Sequence, residues 1–263
     1  MMSNERKHAP ARGAVYARCT RRALAFPATC LLLVALVASS AQCAMAAELS
    51  APPDTMAQRV AACMVCHGKE GRAGNDGYHP RIAGKPEGYL YNQLVNFREG
   101  RRHNAAMAYL IGNLPDTYLR EIAAYFAALH LPYPPPQSVA VPPATLAHGR
   151  ELITQGDQSR DIPPCVACHG KTLTGTQPAI PGLIGLPRVY LYAQLSSWKN
   201  GSRHAAAPDC MAKIAGRLNW EDVDAVTAYL ASQPVPADSA PAASNPVKPP
   251  LECGSVPARE GKP

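Results

Sequence analysis

A five-residue pattern, Cys-x-x-Cys-His, occurs twice in this chain, at residues 63–67 and again at 165–169. The pattern is the attachment signal of a c-type haem, because its two thiols add across the porphyrin vinyl groups and the next histidine reaches the iron. Its spacing places both sulfurs on one side of a single helical turn. We therefore expect the chain to fold around two covalently bound haem c groups. The predicted attachment residues and proximal iron ligands are Cys63, Cys66, His67, Cys165, Cys168 and His169.

Zinc is the alternative occupant of such cysteine pairs, since it favours tetrahedral sites made of thiolates and imidazoles. The two pairs are 102 residues apart, from Cys63 to Cys165, and a histidine follows each pair at once. This arrangement favours haem attachment over zinc binding.

The sequence around the two motifs also repeats. Residues 86–94 match residues 187–195 at an offset of 101, and Arg102-His103 matches Arg203-His204 at the same offset. Self-similarity at a fixed offset indicates a duplicated structural unit. The chain is therefore interpreted as two copies of one unit of about a hundred residues each.

Apolar residues recur at helical spacing in each copy. The pattern predicts helices over residues 55–66, 89–98 and 115–129 in the first copy. In the second copy, the helix equivalent to 115–129 is expected to begin at an Asn219 cap. Since no segment alternates apolar and polar residues long enough to predict a strand, we expect an all-α fold in which each unit is wrapped around one haem.

Composition divides the chain into five parts. The beginning has a basic region, an apolar run and small residues that close at Ala44-Met45-Ala46, which is typical of an export signal; an uncleaved membrane anchor is the alternative. The segment between the copies is rich in proline, which predicts a semi-rigid extended linker. The end of the chain is rich in proline and alanine, which predicts disorder. The predicted parts are a signal peptide (1–46), a first domain (47–130), a linker (131–143), a second domain (144–232) and a tail (233–263).

The net charge of +7 does not indicate a nucleic-acid partner, because the predicted leader holds six bases against one acid. The remainder carries 20 bases and 18 acids. Nine cysteines are present, and only Cys210 and Cys253 fall outside the leader and the motifs. In an oxidising compartment they are expected to form a disulfide, although Cys210 is also a candidate iron ligand beside Met211.

A low-spin, electron-carrying haem needs a second axial ligand, and methionine raises its reduction potential. Of the seven methionines, three lie in the leader and two lie at the first motif. Met107 and Met211 remain, 40 and 42 residues beyond the proximal histidines. They are the predicted sixth ligands, with a role as ordinary core residues as the alternative.

Histidine is the competing ligand, since His103 and His204 occupy equivalent positions and bis-histidine ligation would give a low-potential centre. The adjacent Arg102 and Arg203 favour a position on the surface or at the haem edge, where guanidinium groups can meet the propionates. Pro80 and Pro181 follow the two proximal histidines by 13 and 12 residues. A carbonyl at each proline is expected to accept the imidazole N–H and fix its tautomer.

Taken together, these residues resemble the dihaem cytochrome c4 family. Each copy has the haem motif, a proline, a glycine, a Tyr-x-x-x-Gln-Leu helix, a Gly-x-Arg turn, a single methionine and a final Ala-x-Tyr helix, and the resemblance spans residues 56–232. It implies two class I cytochrome c folds related by a pseudo-twofold axis. The implied axial pairs are His67 with Met107 and His169 with Met211. An inserted Asp209-Cys210 before Met211 and the cysteine-bearing tail depart from the family pattern.

The resemblance also implies a periplasmic carrier that passes electrons to a terminal oxidase. A cytochrome subunit that accepts electrons from a flavoprotein or from an alcohol or sulfide dehydrogenase is the alternative. The expected partners are therefore redox proteins, either a membrane respiratory complex or a dehydrogenase, with tethering at the membrane surface if the leader is kept. A dihaem peroxidase would need an open coordination position, whereas both copies offer a methionine. We therefore expect an electron-transfer protein with no catalytic residues.

Overall fold

The computed structural model describes residues 54–74, 76–243 and 249–256. The predicted signal peptide, residues 1–46, lies outside the described residues. Within the described ranges, none of the helices has the length and apolar character needed to cross a lipid bilayer.

Helices account for most of the regular structure, and the two copies hold the same number of α-helices among the described residues. In the first copy, α1 to α5 are Met56–Arg59, Ala61–His67, Glu87–Arg98, Ala105–Ile111 and Asp116–Ala127. In the second copy, α6 to α10 are Pro143–Thr154, Val166–His169, Arg188–Lys199, Cys210–Arg217 and Trp220–Ser232. Short 3-10 helices occupy Lys69–Gly71 and Gln158–Arg160.

The helices predicted at 89–98 and 115–129 are present with ends shifted by one or two residues. The predicted helix over 55–66 is divided at Val60, whose backbone (φ −95°, ψ 7°) leaves the helical region. The Asn219 cap is confirmed: its side chain accepts from the Asp222 N–H, and the Asp222 side chain accepts from the Asn219 N–H. This reciprocal pair is a capping box, which satisfies two helix-end donors.

A small antiparallel sheet follows the second haem motif, where the sequence predicted no strand. Its strands are β1 (Gly175–Thr176) and β2 (Ile180–Pro181), with Gly175 opposite Pro181. Two residues are too few to show the alternation from which strands are predicted. The fold remains all-α, and the sheet is a local feature of the second copy.

Each copy has its own hydrophobic core. The first core is built on Val60 and on apolar residues of α3 to α5, including Leu90, Phe97 and Phe126. The second is built on α6, α8 and α10, together with the loop between α7 and α8. In both copies the α-helix that bears the candidate methionine packs against the Tyr-x-x-x-Gln-Leu helix, as α4 against α3 and as α9 against α8. Two separate cores are what a duplicated cytochrome fold requires.

The proline-rich linker has no regular structure up to Pro143, where α6 begins. Arg81 contacts the beginning of the linker. Its guanidinium group donates to the carbonyl groups of Leu131 and Pro132 and lies over the Tyr133 ring, 3.9 Å from the ring centroid. Gln137 donates its backbone N–H to Ala231 at 2.9 Å. The linker is therefore extended and anchored at several points.

The tail was predicted to be disordered, and that prediction is wrong for its described parts. Ala242 pairs with Thr176 of β1, and Cys253 forms a disulfide with Cys210. The expected Cys210–Cys253 pairing is confirmed. The alternative role of Cys210 as an iron ligand is therefore wrong, because its sulfur is already bonded.

Gly149 lies where α6 crosses α10. A methyl group at this position would lie 2.2 Å from the Ala225 carbonyl oxygen, so Gly149→Ala must push the two helices apart. We expect a loss of about 2 kcal/mol in the free energy of unfolding, measured by denaturant titration with circular dichroism. Gly216→Ala in α9 is the control, since no described atom lies within 4 Å of the added methyl group. It should gain about 0.5–1 kcal/mol, and equal effects of the two substitutions would contradict the close crossing.

Candidate haem-binding sites

The first Cys-x-x-Cys-His motif occupies α2. Its helical backbone places Cys63 and Cys66 three residues apart on one face, and both sulfurs are free thiols. Burial raises the pKa of the Cys63 thiol. His67 ends the helix and is only 9% exposed. The two thiols and the imidazole therefore belong to one short rigid segment.

The two predicted proximal histidines, His67 and His169, are both buried. The Nδ1 atom of His67 lies 2.8 Å from the Pro80 carbonyl oxygen, and that of His169 lies 2.7 Å from the Pro181 carbonyl oxygen. These two contacts were predicted from the spacing and are confirmed. Burial lowers the pKa of both imidazoles, an effect that the two carbonyl groups oppose. A neutral imidazole that donates from Nδ1 leaves the Nε2 lone pair free to bind a metal.

A cavity of about 500 Å³ opens beside α2, and both His67 and Met107 line it. Its walls are mainly apolar and include Leu90, Phe97 and Phe126. Such a volume and lining are typical of a cofactor site. The structure thus brings together the two predicted axial residues of the first site. His103 lines the same cavity, so the competing histidine is also within the site.

Met107 is positioned by the start of α4. The Met107 backbone N–H donates to the side chain of the N-cap residue, Asn104, at 3.0 Å. The capping hydrogen bond therefore holds the backbone of the candidate ligand. Sequence reasoning found Met107 by elimination but did not predict α4. Asn104 lies directly before the apolar run of residues 105–111, and this N-cap signal could have located the helix.

In the second copy, the residues predicted for the second site lie on, or directly before, the equivalent helices α7 and α9. His169 is buried, and burial raises the pKa of the Cys165 thiol to about 12. Met211 is the second residue of α9 and is half-buried. His204 is exposed, as is His103. The support for pairing His169 with Met211 is their equivalent placement in the duplicated unit.

In the described part of the chain, buried polar groups around both sites lack an acidic partner or a hydrogen-bond acceptor, which an anionic or hydrogen-bonding ligand would provide. Arg81, Lys85 and Arg203 are at most 6% exposed and line the first cavity. Among the described residues, no carboxylate forms an ion pair with any of them. Burial and the neighbouring Arg102 lower the pKa of Arg203 to about 10. Haem propionates would supply the missing negative charge, so these residues fit the group.

In the second copy, a buried hydrogen-bond donor also lacks a partner. The indole N–H of Trp198 is buried and has no acceptor among the described residues. Phe97, which has no such donor, is the equivalent residue in the first copy. A buried donor without a partner is unfavourable, and an acceptor on a bound group would satisfy it.

The two copies meet at a junction of four side chains related by the 101-residue offset. Arg102 donates to Gln93 at 2.9 Å and to Gln194 at 2.7 Å. Arg203 donates to Gln194 at 2.6 Å and to Gln93 at 2.9 Å. Each glutamine therefore accepts from the arginine of its own copy and from the arginine of the other. Sequence reasoning expected both arginines at a haem edge and assigned no role to the glutamines.

The backbone at this junction has the same symmetry. Arg102 and Arg203 form an antiparallel bridge, in which His103 donates to Ser202 and His204 donates to Arg101. Residues that match in the repeat thus face each other in space. This is the pseudo-twofold relation expected for a duplicated unit.

No protein-family model matches the chain, but individual relatives do. It is 34% identical over 216 residues to the thiosulfate dehydrogenase electron acceptor of Thiomonas intermedia, over 81% of this chain and 95% of that protein. It is 31% identical over 175 residues to cytochrome c4 of Pseudomonas aeruginosa, over 65% of this chain and 84% of that protein. The chain belongs to the dihaem cytochrome c4 family. It is therefore an electron-transfer protein with two covalent haem c groups, and not an enzyme.

Solved structures agree on the fold. Reduced cytochrome c4 from Pseudomonas stutzeri superimposes with a TM-score of 0.58 at 27% identity, over 66% of this chain and 95% of that one. Thiosulfate dehydrogenase from Marichromatium purpuratum, in its as-isolated form, gives a TM-score of 0.59 at 34% identity. The latter match covers 66% of this chain but only 36% of that chain. The predicted all-α fold of two class I cytochrome c units is confirmed.

Proposed function

We propose that each half of the chain holds one haem in a closed, six-coordinate site. Thioether bonds are assigned to the motif cysteines and axial bonds to one histidine and one methionine in each half. The assigned residues are Cys63, Cys66, His67 and Met107 for the first site, and Cys165, Cys168, His169 and Met211 for the second. The observation that carries this assignment is that His67 and Met107 line one apolar cavity.

A bound haem supplies one-electron chemistry, as its iron cycles between the ferric and ferrous states. The protein residues orient and insulate it. The carbonyl groups of Pro80 and Pro181 hold the proximal imidazoles in one tautomer. Apolar side chains line the cavity, and a methionine bound to the iron would leave peroxide without an open coordination position. This arrangement favours electron transfer over peroxidase chemistry.

The junction supports transfer between the two sites. Second-half residues, including Tyr190, Gln194 and Arg203, line the cavity of the first site. Because the same residues are bonded to Gln93 and Arg102, the two halves are held at a fixed separation. An electron that enters at one site would therefore have a short route to the other.

The proposed donor is a thiosulfate dehydrogenase, and the proposed acceptor is a terminal oxidase. Two relatives are named as thiosulfate dehydrogenase electron acceptors, the second being that of Stutzerimonas stutzeri at 35% identity over 78% of its length. The cytochrome c4 relatives favour onward delivery to an oxidase. We place the protein in the periplasm, because the disulfide between Cys210 and Cys253 requires an oxidising compartment.

Rapid mixing of the ferric protein with a purified thiosulfate dehydrogenase and thiosulfate tests the donor. Both haems should become reduced, giving two electrons per chain. Thiosulfate without the dehydrogenase, and the dehydrogenase without thiosulfate, are the controls. If the complete mixture reduces neither haem while ascorbate or dithionite reduces both, the donor assignment is wrong although the electron-transfer function stands.

A further inference from the structure

The described parts of the C-terminal tail contact the second haem site on its proximal side. Ala242 donates to the Gly175 carbonyl oxygen and accepts from the Gln177 N–H, both at 2.9 Å. This pairing extends the small sheet, in which β2 supplies the carbonyl group that accepts from His169. The tail therefore supports the loop that orients the proximal imidazole.

The tail also contacts the distal side, next to Met211. Cys253 is bonded to Cys210, which is the first residue of α9 and the immediate neighbour of Met211. The next tail residue, Gly254, donates its N–H to the Pro208 carbonyl oxygen at 3.0 Å. A methyl group on Gly254 would lie 2.1 Å from the Ala207 carbonyl oxygen. The tail backbone thus lies directly against the loop that leads into Met211.

This loop is longer than its counterpart in the first half. Met107 follows His103 by four residues, whereas Met211 follows His204 by seven. In the first half the N-cap side chain holds the N–H of Met107 itself. In the second half the Asp209 carboxylate accepts from Ala212 and Ala205 instead. A longer loop has more conformational freedom, so its methionine needs a restraint from elsewhere.

The tail is also bonded to the first half of the chain. Asn92 of α3 donates its side-chain N–H to the Ser255 carbonyl oxygen at 2.7 Å. Residues 253–256, which we call the C-terminal clamp, are therefore bonded to the distal loop of the second half and to a helix of the first half. No described residue of the tail is bonded to the loop before Met107, where His103 donates to Ser202 and Asn104 donates to Tyr78 instead.

We propose that the C-terminal clamp is a positioning device for Met211. The disulfide and the close fit of Gly254 hold the start of α9 so that the Met211 sulfur stays at the second site. Cys210, Cys253 and Gly254 are positioning residues, and they act only through Met211. This proposal rests on the proposed assignment of Met211 as an axial ligand.

Imidazole, which competes with methionine for ferric haem iron, provides the test. In a Met107→Ala background the remaining ferric methionine charge-transfer band reports Met211 alone. We expect Cys253→Ser in this background to weaken the bond between Met211 and the iron. The imidazole concentration that removes half of the band should therefore fall by about tenfold, which is one decade in the ligation equilibrium. Gly254→Ala should act in the same direction while it keeps both cysteines. It also serves as the second variant if Cys253→Ser yields little holoprotein.

The matched control uses a Met211→Ala background, in which the band reports Met107. There Cys253→Ser should leave the imidazole midpoint unchanged. Equal shifts in both backgrounds would indicate general destabilisation and overturn the clamp. An unchanged midpoint for Met211 in both clamp variants would also overturn it, with the ligand assignment intact. If Met107→Ala alone abolishes the whole band, the assignment of Met211 as a ligand is wrong, and the clamp proposal falls with it.

Discussion

Met107→Ala is expected to remove about half of the ferric methionine charge-transfer band and to lower the reduction potential of the first centre by on the order of 0.2 V, within the range of about 0.8 V that axial ligands span. The reason is that Met107 and His67 line the same cavity, and the thioether sulfur favours the ferrous state. Loss of the sulfur would also open the first site to water.

Spectroelectrochemical titration of the holoprotein measures both effects. Met64→Leu is the matched control, since Met64 lies inside the first motif but does not line the cavity. It should leave the band and the potential unchanged. A full band in Met107→Ala would show that Met107 is not a ligand, and His103, which lines the same cavity, would replace it.

Asp222→Asn is expected to lower the free energy of unfolding of the second half by about 3 kcal/mol, because it breaks a buried ion pair. The Asp222 side chain is only 1% exposed and accepts from Arg160 at 2.6 Å and from His148 at 2.8 Å. It also closes the capping box with Asn219. One carboxylate therefore joins α6, the loop before the second motif and the start of α10.

The same carboxylate should make stability depend on pH. Burial alone would raise the pKa of Asp222, but hydrogen bonds from Arg160 and His148 outweigh it and hold the pKa below its ordinary value of 3.8. A carboxyl group with a lowered pKa stabilises the fold above the unfolded pKa, and this contribution is lost as the pH falls below about 4. Asp222→Asn should therefore reduce the loss of stability between neutral pH and pH 3, by the part that Asp222 contributes.

Denaturant titrations between neutral pH and pH 3 measure this effect. Asp224→Asn is the control, since Asp224 is 45% exposed in its ion pair with Arg188. It should cost less than about 1 kcal/mol. If the two substitutions cost the same, Asp222 has no special role in joining these elements.

Features that depend on local sequence were predictable. Leu90 and Leu191 mark the same face of equivalent helices because helical periodicity and the 101-residue offset are both visible in the chain. The Asn219 cap and the carbonyl groups of Pro80 and Pro181 followed from spacing alone, and the structure has all three contacts. Each of these bonds joins residues at most 13 positions apart in the sequence.

Hydrogen bonds between distant segments were not predictable. Gln93 is matched to Gln194 in the repeat, but only the folded junction shows that each accepts from both arginines. Composition favoured a disordered tail, whereas the count of cysteines outside the leader and the motifs correctly predicted that Cys253 pairs with Cys210. The hydrogen bonds from the tail to Gly175, Gln177 and Pro208 depend on how the loops pack, which local patterns do not encode.

We expect each half of the chain to hold one covalently attached haem. Intact-mass spectrometry of the purified protein, combined with a pyridine haemochrome assay, tests this expectation. The measured mass should be that of the polypeptide plus two haems, with a ratio of two haems per chain. A mass that corresponds to one attached haem, or to none, would contradict it.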